Sequence, residues 1–213
     1  MLKSAHATTL IKPYSQIKDL KLHHAEQLDD IKESHRHIWQ IFKAFNAAVL
    51  QKLPADFAKP HVQNWCNGWE IRRHLFAYYK YDKYLGNAPI ISVILNRQRL
   101  IIALTWHRYK AKISQTPLSA FNEWLNEIDL DDFSDFYFWH SSINEYQDFT
   151  PINALDYDKL SLADGEFYRL GKFIDKADLD AFTDDDLVDW AAQTICQLAK
   201  AYEFCHGKGA NNS

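Results

Sequence analysis

The 213-residue sequence is typical of an α+β domain: a central, mostly antiparallel β-sheet flanked by helices, with a long N-terminal helix and a C-terminal helix. Two observations indicate this class. Apolar residues recur at helical spacing near both ends of the chain, whereas the middle alternates apolar and polar residues between turn signals. The composition, 47% hydrophobic and 24% charged, excludes fibrous and disordered classes of protein.

The long N-terminal helix is predicted over residues 24–53. Its apolar side chains recur every three, four or seven residues and share one face: Leu28, Ile31, Ile38, Phe42, Phe45 and Val49. Pro54 ends the helix because proline has no backbone N–H to donate. We expect a packed, irregular connection over residues 55–70, which contain Pro60, Gly68 and two tryptophans.

The central sheet is predicted from residues 72–109. Side chains alternate in character from Arg72 to Lys83, which indicates a strand. Residues 86–89 form a turn, and the apolar segments Ile90–Leu95 and Leu100–Tyr109 then form an antiparallel hairpin around Asn96–Arg99. Both faces of these two segments are apolar, so we expect the centre of the sheet to be covered on both sides.

The second half of the chain predicts two more helices and two more strands. Thr116-Pro117 opens a short helix that runs through Ile128, since proline is favoured at the first helical position. Phe136–Ser141 and Phe167–Ile174 are strand candidates. Thr183 caps a final helix that ends near Cys205, and the three aspartates after it favour the helix N-terminus.

The chain is expected to be one α+β domain over residues 1–213, with 1–20 and 206–213 less ordered. Its apolar runs are too short to cross a bilayer, and the first residues lack the apolar core of a signal peptide, so we expect no contact with a membrane. Three scattered cysteines predict neither a disulfide framework nor a metal site. These features favour a cytoplasmic protein.

Charge is segregated along the chain although the net charge is only −4. Residues 59–112 contain ten basic and two acidic residues, whereas residues 113–190 contain four and nineteen. One interpretation is an aromatic and basic surface that binds an anion or a single-stranded nucleic acid. The other interpretation is that the acidic part of the chain neutralises the basic part through surface ion pairs.

Motif searches exclude several chemistries. Histidine and cysteine spacings match no metal site, and no glycine-rich phosphate loop is present, so neither a metal nor a cofactor is predicted. No nucleophile elbow frames a serine. His74, His107 and His140 lie on predicted strands and could project toward one cleft as general bases, or they could be hydrogen-bonded at a sheet rim.

The order of elements resembles the YktB-like family of uncharacterised bacterial proteins. The resemblance covers residues 20–205 and rests on Trp69 ahead of FAYYKYDKYLGNAP, the hairpin IISVILNRQRLIIALTW, the segment DDFSDFYFWHSSI and the final helix. That family has Pro-His-Phe where this chain has Pro89-Ile90-Ile91, so any role of that histidine does not carry over, and His140 is better placed. The resemblance implies an α+β domain with a mostly antiparallel sheet, and it implies no activity.

The sequence therefore predicts a small binding or regulatory domain with an aromatic and basic groove, between the sheet and its helices, for a small anionic ligand. The candidate ligand-binding residues are Arg73, Tyr78, Lys80, Trp106, His107, Arg108 and His140. Two alternatives stay open: a metal-independent hydrolase or nuclease with a histidine general base, and a protein-interaction module. Nucleic acid is not expected as a partner because the net charge is negative. The sequence leaves the oligomeric state open.

Overall fold

The computed structural model describes residues 2–156 and 159–206. The α-helices are α1 (Ser4–Thr9), α2 (Ile17–His23), α3 (Leu28–Leu50), α4 (Leu118–Asn122), α5 (Trp124–Glu127) and α6 (Asp184–Phe204). The strands are β1 (His61–Val62), β2 (Leu75–Tyr79), β3 (Pro89–Leu95), β4 (Arg99–Trp106), β5 (Tyr137–His140), β6 (Thr150–Pro151) and β7 (Tyr168–Asp175).

All of these strands belong to one sheet with the order β1-β2-β3-β4-β7-β5-β6. Every neighbouring pair is antiparallel. The sheet, the long helix α3 and the C-terminal helix α6 confirm the predicted α+β class. In the described ranges, no helix combines the length and the apolar character that a membrane span requires.

The β3–β4 hairpin confirms the prediction for residues 90–109. Leu95 pairs with Leu100, and the side-chain oxygen of Asn96 accepts hydrogen bonds from the backbone N–H groups of Gln98 and Arg99 at 2.8 and 2.9 Å. This Asx-type turn sets the register. Strand β4 ends at Trp106, three residues earlier than predicted, because a 3₁₀ helix begins at Arg108.

The sheet has an inner face, on which α3 and α6 pack, and an outer face turned away from them. Side chains of β2 alternate between the two: Leu75, Ala77 and Tyr79 are buried in the inner core, and the intervening residues are half-buried. Nearly every residue of β3 and β4 is buried on both faces, as predicted. A second apolar cluster containing Ile101, Ala103, Trp139 and Phe149 covers part of the outer face.

Both ends of the chain were predicted to be less ordered than the rest. Residues 2–20 were expected to be less ordered, but they include α1 and part of α2, and Leu2, Leu10 and Leu20 are buried. Leu2 and Leu10 belong to the same apolar cluster as α3, and this contact fixes them. The expected less ordered tail, 206–213, lies outside the described residues from position 207 onward.

The helices of the second half follow the sequence with one change. The predicted helix 116–128 is split into α4 and α5 at Glu123. Thr183 caps α6 as predicted, since its hydroxyl oxygen accepts the backbone N–H of Asp186 at 3.2 Å.

Candidate functional site

A cavity of about 680 Å³ lies on the outer face of the sheet. Its floor is apolar and comes from the central strands, chiefly Phe76, Ile90, Ile94, Ile101 and Ala103. These side chains alternate with the inner-core residues of the same strands, so the strand period itself places them together. A volume of this size accommodates a small organic molecule.

One wall of the cavity is the segment Ser141–Phe149, which we call the cavity loop. The Phe149 ring stacks on Trp139 with a centroid distance of 4.0 Å, which ties the end of the loop to β5. Glu145 Oε1 lies 2.9 Å from His74 Nδ1, and its backbone oxygen accepts a 3.3 Å hydrogen bond from the Asn96 side chain. Both Glu145 contacts lie at one end of the β2–β3–β4 meander, where β2 begins and β3 turns into β4.

The rim of the cavity is basic. Arg72, Arg73, Arg108 and Arg169 line it together with two acidic residues, Glu70 and Glu145. Glu145 already contacts His74, so the rim holds more positive than negative charge.

Arg169 is the most constrained of these arginines. Its guanidinium group donates to the Thr105 hydroxyl at 3.2 Å, to the backbone oxygen of Ile143 at 3.0 Å and to that of Ser141 at 3.4 Å. Burial, followed by the nearby Arg108 charge, lowers the pKa of Arg169 to about 10, so it stays protonated at neutral pH. The group is therefore a fixed positive charge at the cavity.

Arg108 and Arg169 share one aromatic ring. Their guanidinium carbons lie 5.5 and 5.4 Å from the centroid of Phe167. Within the described ranges, neither forms an ion pair with a carboxylate. The Arg108 charge helps to lower the pKa of Arg169, so the two like charges repel each other, and an anion bound near both would offset that repulsion.

His107 stands at the cavity beside a row of aromatic rings. Its ring centroid is 5.3 Å from Tyr78 and 5.9 Å from Tyr109. Burial, then the positive charges of Lys80 and Lys110, lowers the pKa of His107, so the ring is neutral at pH 7. Its Nδ1 atom is buried and has no hydrogen-bond partner in the described part of the chain.

The structure brings four of the seven predicted ligand-binding residues to the cavity: Arg73, Trp106, His107 and Arg108. The Trp106 ring is less available to stack on a ligand than predicted, because it packs edge-on against the Phe121 ring with a centroid distance of 5.7 Å.

The other three predicted residues lie away from the cavity lining. Tyr78 lies behind His107 and stacks on His61 at 5.0 Å. Lys80 is buried, and its ammonium group donates to the backbone oxygens of Leu85 and Asn87, so it holds a turn. His140 lies next to the cavity and contacts it through Ser142.

The location of the cavity differs from the expected groove between the sheet and its helices. The inner face is filled by α3 and α6, whose buried side chains pack directly on β2, β3 and β4. Space remains on the outer face because a loop, rather than a helix, covers it there.

Two of the three histidines predicted on strands line this cavity, one just before β2 and the other just after β4. His74 and His107 line it, and His140 is adjacent. The sequence shows no carboxylate close to these histidines, yet the fold supplies two. Glu145 lies 2.9 Å from His74, and Glu166 Oε2 lies 3.2 Å from His140 Nε2. Both carboxylates are distant in sequence from the histidine they contact.

The sequence did not predict Arg169 or Glu145 as site residues, and Ser142, which follows His140 closely, was set aside because no nucleophile elbow frames it. A signal for Arg169 exists, since it lies between two apolar residues of a predicted strand and alternation turns it away from the core. No signal exists for Glu145, because loop positions follow no period. Across the described residues, no group of three or more His, Cys, Asp or Glu could hold a metal ion.

Comparisons with known proteins place the chain among relatives. A protein-family model matches residues 2–205. The chain belongs to this family. A protein of Haemophilus influenzae, described as an uncharacterized protein, is 38% identical over 195 residues, which are 91% of this chain and 93% of the relative. The family is thus an uncharacterised bacterial family, and the relative spans nearly the whole fold described above.

Proposed function

We propose that this protein is a small cytoplasmic binding or regulatory domain whose outer-face cavity holds a small anion with an apolar body. One observation carries the proposal: the guanidinium groups of Arg108 and Arg169 lie together at an apolar cavity without a carboxylate partner among the described residues.

The ligand class follows from the two parts of the cavity. Guanidinium groups bind carboxylate and phosphate through charge-assisted, often bidentate hydrogen bonds. The floor formed by Ile94, Ile101 and Ala103 favours an apolar group, because covering it removes apolar surface from water. Glu145 partly offsets the Arg169 charge, but its carboxylate contacts His74 and the Tyr146 hydroxyl rather than either guanidinium group. A medium-chain carboxylate or alkyl phosphate combines both features.

Isothermal titration calorimetry with octanoate, octyl phosphate and the neutral octanamide tests the proposal. We expect the two anions to bind and octanamide to bind at least 10-fold more weakly. Arg108→Gln and Arg169→Gln should each weaken octanoate binding by about 10- to 100-fold, because each removes one charge-assisted hydrogen bond of roughly 1.5–3 kcal/mol.

The matched control is Arg36→Gln, which removes the same charge from the exposed surface of α3, where Arg36 pairs with Glu33. It should leave the affinity unchanged. Equal binding of octanamide and octanoate, or an equal loss in the Arg36 and Arg108 variants, contradicts the proposal.

Nucleic acid is not the partner that we propose. Of the basic residues in the segment 59–112, Lys80 is buried and Arg99 lies 3.3 Å from the Asp175 carboxylate. Arg97 lies over the Tyr146 ring. A continuous basic track for a phosphate backbone therefore has little support, and a labelled oligonucleotide should not bind at physiological salt.

Three further expectations remain predictions. A protein-interaction role is favoured only by exposed apolar side chains beside the cavity, such as Tyr109, which is 94% exposed. Membership of the YktB-like family is a second prediction, which rests on the order of elements and on the sequence segments quoted above. We also propose that residues 1–213 act as a single domain, and limited proteolysis should then leave one protected core.

A further inference from the structure

Ser142, His140 and Glu166 form a hydrogen-bonded chain at the edge of the cavity. Ser142 Oγ lies 2.6 Å from His140 Nδ1, and His140 Nε2 lies 3.2 Å from Glu166 Oε2. The backbone N–H of Ser142 also donates to His140 Nδ1 at 3.2 Å. A nitrogen that accepts a backbone N–H carries a lone pair, so the ring proton is on Nε2, 3.2 Å from the Glu166 carboxylate. The single Nδ1 lone pair is shared between the backbone N–H and the hydroxyl of Ser142.

The three residues are held by the pairing of β5 with β7. His140 is opposite Tyr168 in the register, and the Tyr168 ring packs edge-on against it at 5.4 Å. The backbone N–H of Ser141 donates to the Phe167 oxygen at 2.8 Å. Glu166 Oε2 accepts the backbone N–H of Ala163 at 2.8 Å, which orients the carboxylate. This N–H and then the His140 ring lower the pKa of Glu166, so it is ionised at neutral pH.

One positive charge, the guanidinium group of Arg169, lies beside Ser142. Arg169 donates to the backbone oxygens of Ser141 and Ile143, the residues before and after it. Ser142 itself lines the cavity and is exposed, so a molecule in the cavity can reach it. A negative charge that develops on an oxygen next to Ser142 would be stabilised by this fixed guanidinium group.

We propose that Ser142 is the nucleophile of an acyl-transfer reaction, with His140 as its general base and Glu166 as the positioning residue. Ser142 Oγ attacks the carbonyl carbon of a carboxylic ester while its proton passes to His140 Nδ1. The C–O bond to the alcohol breaks, and the alcohol leaves with that proton. Water then attacks the acyl-serine with His140 again accepting a proton, and the acid and free Ser142 are released.

The class of substrate rests on the proposed function of the cavity. A small ester whose acyl or alcohol part carries a carboxylate or phosphate would place that anionic group at Arg108 and Arg169. Its apolar part would lie on the floor. The reaction consumes only the ester and water, so no cofactor enters it.

A fluorophosphonate probe tests the nucleophile directly. Its phosphorus–fluorine bond breaks when an activated serine attacks, and peptide mapping by mass spectrometry identifies the residue that carries the phosphonyl group. We expect modification at Ser142. His140→Gln should lower the rate of labelling by at least about 100-fold, because general base catalysis contributes about 10²- to 10⁴-fold. Glu166→Gln should shift the pH dependence of labelling and slow it less.

Ser134→Ala is the matched control, since Ser134 is an exposed serine that contacts neither the cavity lining nor His140. Ser134→Ala should label at Ser142 as the unchanged protein does. Hydrolysis of p-nitrophenyl butyrate should be lost in Ser142→Ala, strongly reduced in His140→Gln and unchanged in Ser134→Ala. Circular dichroism melting verifies that each variant is folded. An unlabelled Ser142, or labelling that is unchanged in a folded His140→Gln variant, overturns the proposal.

The two proposals fail in different ways. A neutral fluorophosphonate does not need the arginine pair, so labelling that persists while octanoate fails to bind refutes only the anion site. Octanoate binding without labelling at Ser142 refutes only the nucleophile.

Discussion

Gly171 provides a sharp test of the sheet register on which the cavity depends. This residue lies in β7 between Ala103 of β4 and Tyr137 of β5. A Cβ atom added at Gly171 would clash with the backbone oxygen of Ile102 and would lie 2.7 Å from Cβ of Ala103. Carbon atoms in contact are ordinarily about 3.5–4.0 Å apart, so Gly171→Ala must separate the two strands by about 1 Å.

The loss of folding free energy in Gly171→Ala depends on which atoms must move to relieve the clash. Overpacking of a well-packed core costs about 1–3 kcal/mol, and the upper end applies here because the obstacle is backbone rather than a flexible side chain. For a chain of this size each kcal/mol lowers the melting temperature by about 2–4 °C. We therefore expect Gly171→Ala to melt roughly 5–10 °C lower than the unchanged protein in a calorimetric scan.

Gly86→Ala is the control, because Gly86 is exposed, has no positive φ and has no atom within 4 Å of an added Cβ. It should be neutral or stabilising by up to about 1 kcal/mol. Ala103→Gly in the Gly171→Ala background should recover only part of the loss, since the clash with Ile102 remains. A melting temperature for Gly171→Ala within about 1 °C of the unchanged protein would refute the register.

Three further predictions concern buried histidine, helix capping and metal. Burial lowers the pKa of His35 to about 4, below its unfolded value near 6.5. The unfolded chain therefore binds the proton more tightly than the folded protein does. As a result, the free energy of unfolding falls as the pH drops from about 6.5 toward 4. In urea unfolding, the free energy of unfolding of His35→Gln should fall by roughly 2–3 kcal/mol less between pH 7 and pH 4 than that of the unchanged protein. Thr183→Ala should cost about 1 kcal/mol in the same assay, because the Asp186 N–H loses its acceptor; no change would contradict the capping role. A chelator should leave the melting temperature unaltered, and a fall of several degrees would reveal a structural metal.

Periodicity predicted most of the fold. Alternation in β2 and the apolar hairpin β3–β4 needed only local information, and the Thr183 cap needed only a side-chain oxygen before a helical stripe. The helix predicted over residues 116–128 shows the limit, because its apolar stripe is continuous and nothing in it marks the break at Glu123.

The candidate site was only partly predictable. Arg108 and His107 follow directly from the end of β4, so their place beside the outer face could be anticipated. Lys80 could not be assigned from its position, because the strand stops at Tyr79 and the ammonium group turns back to two carbonyl oxygens. Arg169 reaches the cavity only because β7 pairs with β4, and sequence periodicity carries no information about which strands pair.

The pairing of β4 with β7 also has a kinetic consequence. The strands of the β2–β3–β4 meander are joined by short connections. By contrast, roughly 60 residues, which include α4, α5, β5 and β6, separate β4 from its partner β7. Long-range pairing is slow relative to hairpin formation. The edge of β4 therefore has no backbone partner until β7 pairs with it. During that interval the unpaired edge of a newly synthesised chain can associate with another protein chain.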